Sequence, residues 1–311
     1  MSVAVLFPGQ GSQHVGMGAD LFELRPDLLG ERAEEILGWS LRRLCLDGPE
    51  EALTLTQHAQ AALFAISYAL WEEFRNAYTG PLAGGAGHSL GEYTALAAAG
   101  ALTFDQALAV VARRGEAMAA AADLEASGMA ALIGADLSLA ETVTARRRAE
   151  GGRLEVANIN APGQIVVAGG SDDIDWVTAH GRDLGVRRVI PLNVAGAFHS
   201  SFMAPAEQEV GEALAEVTFA EPDFPVWSNT TARPHSVASL AASLSSQVVS
   251  TVRFAESLEN MAATGIDQFV HVGPGDVTAG MAKRTVGDAV VHVVSEVSDI
   301  PDVAAALVTV T

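Results

Sequence analysis

At 311 residues the chain is long enough for one large core, or for a core that carries a smaller inserted unit. Hydrophobic residues make up 49% and charged residues 18%, which excludes a disordered chain. The formal net charge of −20 argues against a nucleic-acid backbone or an anionic membrane as partner, because both need clustered Lys and Arg.

Val3–Phe7 is a short apolar run that reads as a buried strand, broken by Pro8-Gly9-Gln10-Gly11-Ser12-Gln13. Loops at the C-terminal ends of such strands are where open α/β sheets place ligands. Pro49–Leu53 and Gln57–Phe74 read as helices, the second with Ala61, Phe64, Ala65, Tyr68 and Trp71 on one face. The small residues of Pro81–Ala86 end a short strand, and Glu92–Ala101 reads as a helix. Phe104–Ala122 is a further helix, with Thr103 as its cap.

The pattern then changes. Met129–Gly134, Val156–Ile159, Gln164–Ala168 and Arg187–Asn193 read as strands, with helices at Leu139–Ala149 and Ile174–Leu184. The order β-α-β-β-α-β is that of a ferredoxin-like unit. It is expected to be an inserted small domain over residues 123–194, within a larger α/β domain made of 1–122 and 195–311. Beyond it, helices are expected at Met203–Val217, Leu240–Val249 and Phe254–Thr264, and strands at Pro225–Ser228, Gln268–Val272 and Ala289–Val294.

The single cysteine, Cys45, cannot form an internal disulfide, and no Cys/His cluster offers a metal site. No signal peptide is evident and no apolar run reaches spanning length, so a cytoplasmic setting is expected.

Gly87-His88-Ser89-Leu90-Gly91 carries the G-x-S-x-G signature of a nucleophile elbow. Such an elbow is a strained strand-to-helix turn that holds a serine oxygen beside the free N–H groups of a helix start. The flanking strand and helix are the setting it requires. A serine nucleophile needs a base. Of the eight histidines, His199 is the best placed, in Gly196-Ala197-Phe198-His199-Ser200, where the chain leaves the small domain. His88 adjoins the serine, but a tight turn points it elsewhere and local packing is the expected role. His14 and His271 lie near loops of the expected site.

Six segments then stand in order: FPGQGSQ at Phe7–Gln13, GHSLGEY at Gly87–Tyr93, RRG at Arg113–Gly115, NAPGQ at Asn160–Gln164, GAFHS at Gly196–Ser200 and VGPG at Val272–Gly275. Together they resemble the malonyl-CoA:acyl-carrier-protein transacylases and the related acyltransferases of polyketide synthases, over essentially the whole chain. The resemblance implies an α/β-hydrolase-like large domain with a ferredoxin-like insert. It implies Ser89 as nucleophile and His199 as general base, with backbone N–H groups of Gln10 and Leu90 facing the oxyanion. It further implies that Arg114 holds the substrate carboxylate, that the Gln247 carbonyl orients the histidine in place of a triad aspartate, and that Asn160 lies near the mouth of the site. In related acyltransferases a phenylalanine before the histidine, here Phe198, goes with malonyl, and a smaller serine goes with methylmalonyl. The ring would crowd a substituent at C2, an effect on the order of 1–3 kcal/mol.

These roles imply ping-pong transfer of malonyl from CoA to the phosphopantetheine thiol of an acyl carrier protein. No metal or redox cofactor is needed, and a monomer is expected. The alternatives are a polyketide-pathway acyltransferase using another carboxyacyl-CoA, an acyl-thioester hydrolase, or an idle carrier-binding scaffold. Carrier proteins are usually acidic, as is this chain, so docking requires a local basic patch. Arg187-Arg188 and Lys283-Arg284 are the candidates, and Arg146–Arg148 reads as a solvated face.

Overall fold

The structure, a computed structural model, describes residues 2–308. Its strands are β1 (Val3–Phe7), β2 (Gly84–Gly87), β3 (Ser127–Ile133), β4 (Leu154–Ala161), β5 (Gln164–Gly170), β6 (Arg188–Pro191), β7 (Gln268–Val272) and β8 (Val290–Val294). They form two four-stranded sheets. One has the order β2-β1-β7-β8 and is parallel throughout. Every residue of β1, β2 and β7 is buried, as expected of a parallel sheet covered on both faces. The register pairs Phe7 with Gly87. The loops after β1 and β2, which are Pro8–Gln13 and the elbow, therefore leave the sheet side by side.

The second sheet is antiparallel, in the order β4-β5-β3-β6. The helices Leu137–Ala149 and Ser171–His180 accompany it, giving the ferredoxin-like arrangement. Their apolar sides meet the sheet in a separate core that includes Leu132, Val143, Leu154, Val167 and Val177. Several polar links tie this sheet to the rest of the molecule. Ile159 N–H donates to the Val252 carbonyl at 2.8 Å, and His88 Nε2 meets Asn160 Oδ1 at 2.7 Å.

The large core packs the helix Thr56–Ala77 against the helix Phe104–Leu124. The latter starts with a complete capping box between Thr103 and Gln106, which is worth about 1 kcal/mol. The segment Pro225–Ser228 is not a strand. Val226 makes one bridge to Gly85 and Trp227 one to Pro234, after which the chain turns so that Asn229 passes beneath the elbow. Between the first loop and Asp47, four short helices (Leu21–Leu24, Pro26–Leu29, Glu31–Leu37 and Leu41–Asp47) cover the core, a region for which the sequence reading offered no element. Among the described residues, no helix is long and apolar enough to cross a membrane.

Candidate active site

The elbow forms because two glycines let the chains meet. A Cβ at Gly87 would lie 1.9 Å from the backbone carbonyl of Gly91, and one at Gly91 would lie 2.3 Å from the Phe7 carbonyl oxygen. Ser89, between them, has a φ of +52°. His199 has a φ of +57°, so both residues occupy the left-handed region that side chains disfavour. The surroundings hold them there. Asn229 accepts the Ser89 N–H through Oδ1 at 2.7 Å and donates through Nδ2 to the Gly87 carbonyl at 2.7 Å.

Ser89 Oγ and His199 Nε2 are 2.8 Å apart. His199 Nδ1 is 2.9 Å from the Gln247 carbonyl oxygen, which can only accept, so Nδ1 carries the proton and Nε2 is the free base. Burial, and then the Arg114 cation, push the His199 pKa down to about 3, so the imidazole is neutral at ordinary pH.

Arg114 is almost wholly buried, at 1% exposure. Nη2 donates to Ser89 Oγ at 3.0 Å and to Gln247 Oε1 at 2.8 Å, while Nη1 donates to Gln60 Oε1. The guanidinium lies 5.4 Å from the centre of the Tyr93 ring. Of its five N–H donors three are engaged, and Nε has no partner. No carboxylate pairs with it among the described residues. Burial without an ion pair pushes its pKa down from the usual arginine range. A buried guanidinium with no carboxylate partner has the chemistry to take one.

Around these groups lies a cavity of about 300 Å³ whose lining includes Gln10, Leu90, Asn160, Phe198, Val277 and Met281. No hydrogen-bond partner occupies the backbone N–H of Gln10 or Leu90 among the described residues. The Ser89 N–H, by contrast, is taken by Asn229. Two donors in a dry pocket can stabilise an oxyanion, each worth roughly 3 kcal/mol. Among the described residues no group of three His, Cys, Asp or Glu side chains has metal-binding geometry.

Residues 5–306 match the sequence profile of the acyl transferase domain. The chain belongs to that family. A malonyl CoA-acyl carrier protein transacylase of Bacillus subtilis is 41% identical to this acyltransferase over 285 residues, 91% of this chain and 90% of that protein. The structure of an acyl carrier protein S-malonyltransferase from Vibrio cholerae superposes with a TM-score of 0.91 at 36% identity, covering 97% of this chain and 100% of that one. A malonyl-transacylase solved in complex with its type II polyketide-synthase acyl-carrier protein superposes with a TM-score of 0.91 at 33% identity, covering 96% and 98%.

Several residues of the acyltransferase site were not singled out in the sequence. Gln60 interrupts the apolar stripe of its helix one turn before Phe64, which was a usable signal. Glu92 is the one acid in an otherwise apolar and small-residue helix, Gly91–Ala98. Asn229 had no signal, since it follows a segment that resembles a strand. His88 contacts Asn160 and is held neutral by burial, and it does not reach Ser89 Oγ. His271 is buried and engages Thr278 Oγ1 at 2.5 Å and the Gly273 carbonyl at 2.9 Å, outside the cavity lining, while His14 is exposed.

The four proposed docking cations are exposed. Strand register places Arg188 and Gln164 in one row, both opposite Ile133. Arg284 Nη1 donates to Gln164 Oε1 at 2.6 Å, and Gln164 lines the cavity. Arg188 and Arg284 thus both approach Gln164, Arg188 at two strand spacings, about 10 Å, and Arg284 by direct contact. Arg146 and Arg147 instead pair with Glu150 and Asp173, and Arg148 holds the Leu154 carbonyl.

Proposed function

We propose that this acyltransferase moves a malonyl group from malonyl-CoA to the phosphopantetheine thiol of an acyl carrier protein, through an acyl ester on Ser89. The catalytic unit is formed by 1–122 and 195–311, with 123–194 as the smaller one. The observation that carries this reading is the Arg114 guanidinium, buried, unpaired by any carboxylate, and 3.0 Å from the nucleophile. That distance also selects length. In a malonyl-serine ester the carboxylate carbon is the second carbon beyond the acyl carbon, so a cation touching Oγ suits a three-carbon diacid better than a longer one.

Ser89 Oγ attacks the thioester carbonyl as its proton passes to His199 Nε2. The developing oxyanion faces the Gln10 and Leu90 N–H groups. The C–S bond breaks, and the proton on His199 goes to the departing CoA sulfur. The carrier thiol then gives its proton to His199, its sulfur attacks the ester carbonyl, the C–O bond breaks, and Ser89 recovers its hydrogen. Arg114 holds the malonyl carboxylate throughout, while Asn160 and Phe198 shape the chamber. Phe198 is 6% exposed and lines the cavity, and its ring would crowd a methyl at C2. The reaction calls on no cofactor beyond the CoA thioester. The rim that carries Arg187, Arg188, Lys283 and Arg284 receives the carrier.

The test is intact-mass analysis after exposure to an equimolar mixture of acetyl-, malonyl- and methylmalonyl-CoA, followed by a chase with holo-carrier protein. The expected result is a malonyl adduct on Ser89 that moves to the carrier. An adduct released as free malonate would make the protein a hydrolase, and an acetyl adduct would remove the role of Arg114.

A further inference from the structure

Among the buried ionisable groups that the steps above leave unused is Glu92. It lies beneath the elbow with 1% exposure. Its carboxylate accepts from three donors. Oε1 takes His235 Nε2 at 2.5 Å and the Asn229 N–H at 3.2 Å, and Oε2 takes Gln247 Nε2 at 2.5 Å. The Gln247 amide is oriented by this. Its Nε2 faces three acceptors, Glu92, the Ser89 carbonyl at 2.9 Å and Asn229 Oδ1 at 3.5 Å, whereas its Oε1 faces a donor, Arg114 Nη2. The reversed amide would set an NH₂ against a guanidinium and an oxygen against a carboxylate. A buried carboxylate and a buried guanidinium are therefore separated by one amide.

That separation has a consequence. In direct contact the two ions would satisfy each other, and a substrate carboxylate would have to displace a buried ion pair. At one amide's distance, the anion still favours the charged form of Arg114. Gln247 meets His199 through its main-chain carbonyl, not through the side-chain amide that Glu92 holds. We propose that Glu92 is a positioning residue that holds Gln247 as a spacer, so that a counter-charge supports the Arg114 guanidinium without competing with the substrate for it. This rests on the reading of Arg114 as the carboxylate site.

The test uses Glu92→Gln and the double variant Glu92→Gln with Gln247→Glu, which conserves charge and nearly conserves size. In the single variant an amide NH₂ replaces one of the two acceptor oxygens, and so faces either the Gln247 amide or the side shared by the Asn229 N–H and His235. Acylation of Ser89 by malonyl-CoA and by acetyl-CoA is followed by intact mass on protein shown to be folded by its thermal transition. Glu92→Gln is expected to raise the KM for malonyl-CoA about tenfold or more and to change acetyl transfer less than about threefold. The double variant moves the carboxylate onto Arg114, and is expected to fold, to form acetyl-serine and to lose its preference for malonyl. A folded Glu92→Gln with the wild-type KM for malonyl-CoA would overturn the proposal. So would a double variant that regains the wild-type malonyl-to-acetyl ratio, or one that does not fold despite its conserved charge. If the single variant alone fails to fold, the double variant decides. A wild-type enzyme with no preference for malonyl over acetyl would instead overturn the reading of Arg114.

Discussion

Replacing Arg114 by Gln removes the cation and keeps a polar side chain between Gln60 and Gln247, its partners in the folded protein. Two of the five guanidinium N–H groups, one on Nε and one on Nη1, have no hydrogen-bond partner in the protein. A hydrogen bond to a charged group contributes about 1.5–3 kcal/mol, so two are worth about 3–6 kcal/mol. That corresponds to a loss of roughly 10²–10⁴ in kcat/KM for malonyl-CoA. Acetyl-CoA has no carboxylate to lose. The substitution also frees the Ser89 Oγ lone pair that accepts from Arg114 Nη2. Acetyl transfer is therefore expected to hold or rise. The assay is single-turnover acylation of Ser89 by each thioester, read by mass against time. A parallel fall for both thioesters, or a malonyl loss below about tenfold, would refute the reasoning.

Phe198→Ser should open the chamber and shift the methylmalonyl-to-malonyl ratio of kcat/KM upward by about 10–200-fold, measured by competition between the two CoA thioesters. Arg284→Glu should raise the KM for the carrier protein more than that for malonyl-CoA, with the difference shrinking as salt is added. For pH, the pKa of His199 is about 3 and that of His271 about 4 in the folded protein, below the ordinary 6.5. Below pH 6.5 the unfolded chain therefore binds protons that the native state refuses, and stability falls with pH until the folded values are reached. The loss for the pair at pH 5 is as much as about 4 kcal/mol, to be checked by urea unfolding at pH 7 and pH 5. The same depression keeps His199 competent as a base in the free enzyme at pH 5. In Arg114→Gln the repulsive cation is gone, and the acid limb of acylation should move to higher pH.

Much of the architecture was legible because it rests on short-range chemistry. Buried parallel strands such as Val3–Phe7 read as unbroken apolar runs, and the alternation of strands and helices in 123–194 matches the antiparallel sheet. The elbow was legible because its glycines answer a local steric demand. The partners that surround it were not. Gln60, Glu92 and Asn229 act across separations of 54 to 155 residues, and no periodicity encodes such meetings. The short helices between Leu21 and Asp47 span one or two turns each, too few for an apolar stripe to declare itself. Pro225–Ser228 has the composition of a strand, but the demand that Asn229 reach the elbow overrides it.

Two of the ties between the small sheet and the rest of the fold, Ile159 to Val252 and His88 to Asn160, have a mechanical consequence. One of them ends on the residue beside the nucleophile, and Asn160 itself borders the chamber. The walls around Ser89 are thus pinned to each other at the depth where acyl groups are exchanged, and swinging the sheet aside would pull on the elbow. Motion of the small sheet would strain these hydrogen bonds, so the long flexible arm of pantetheine is the readier source of reach for the arriving and departing thiols.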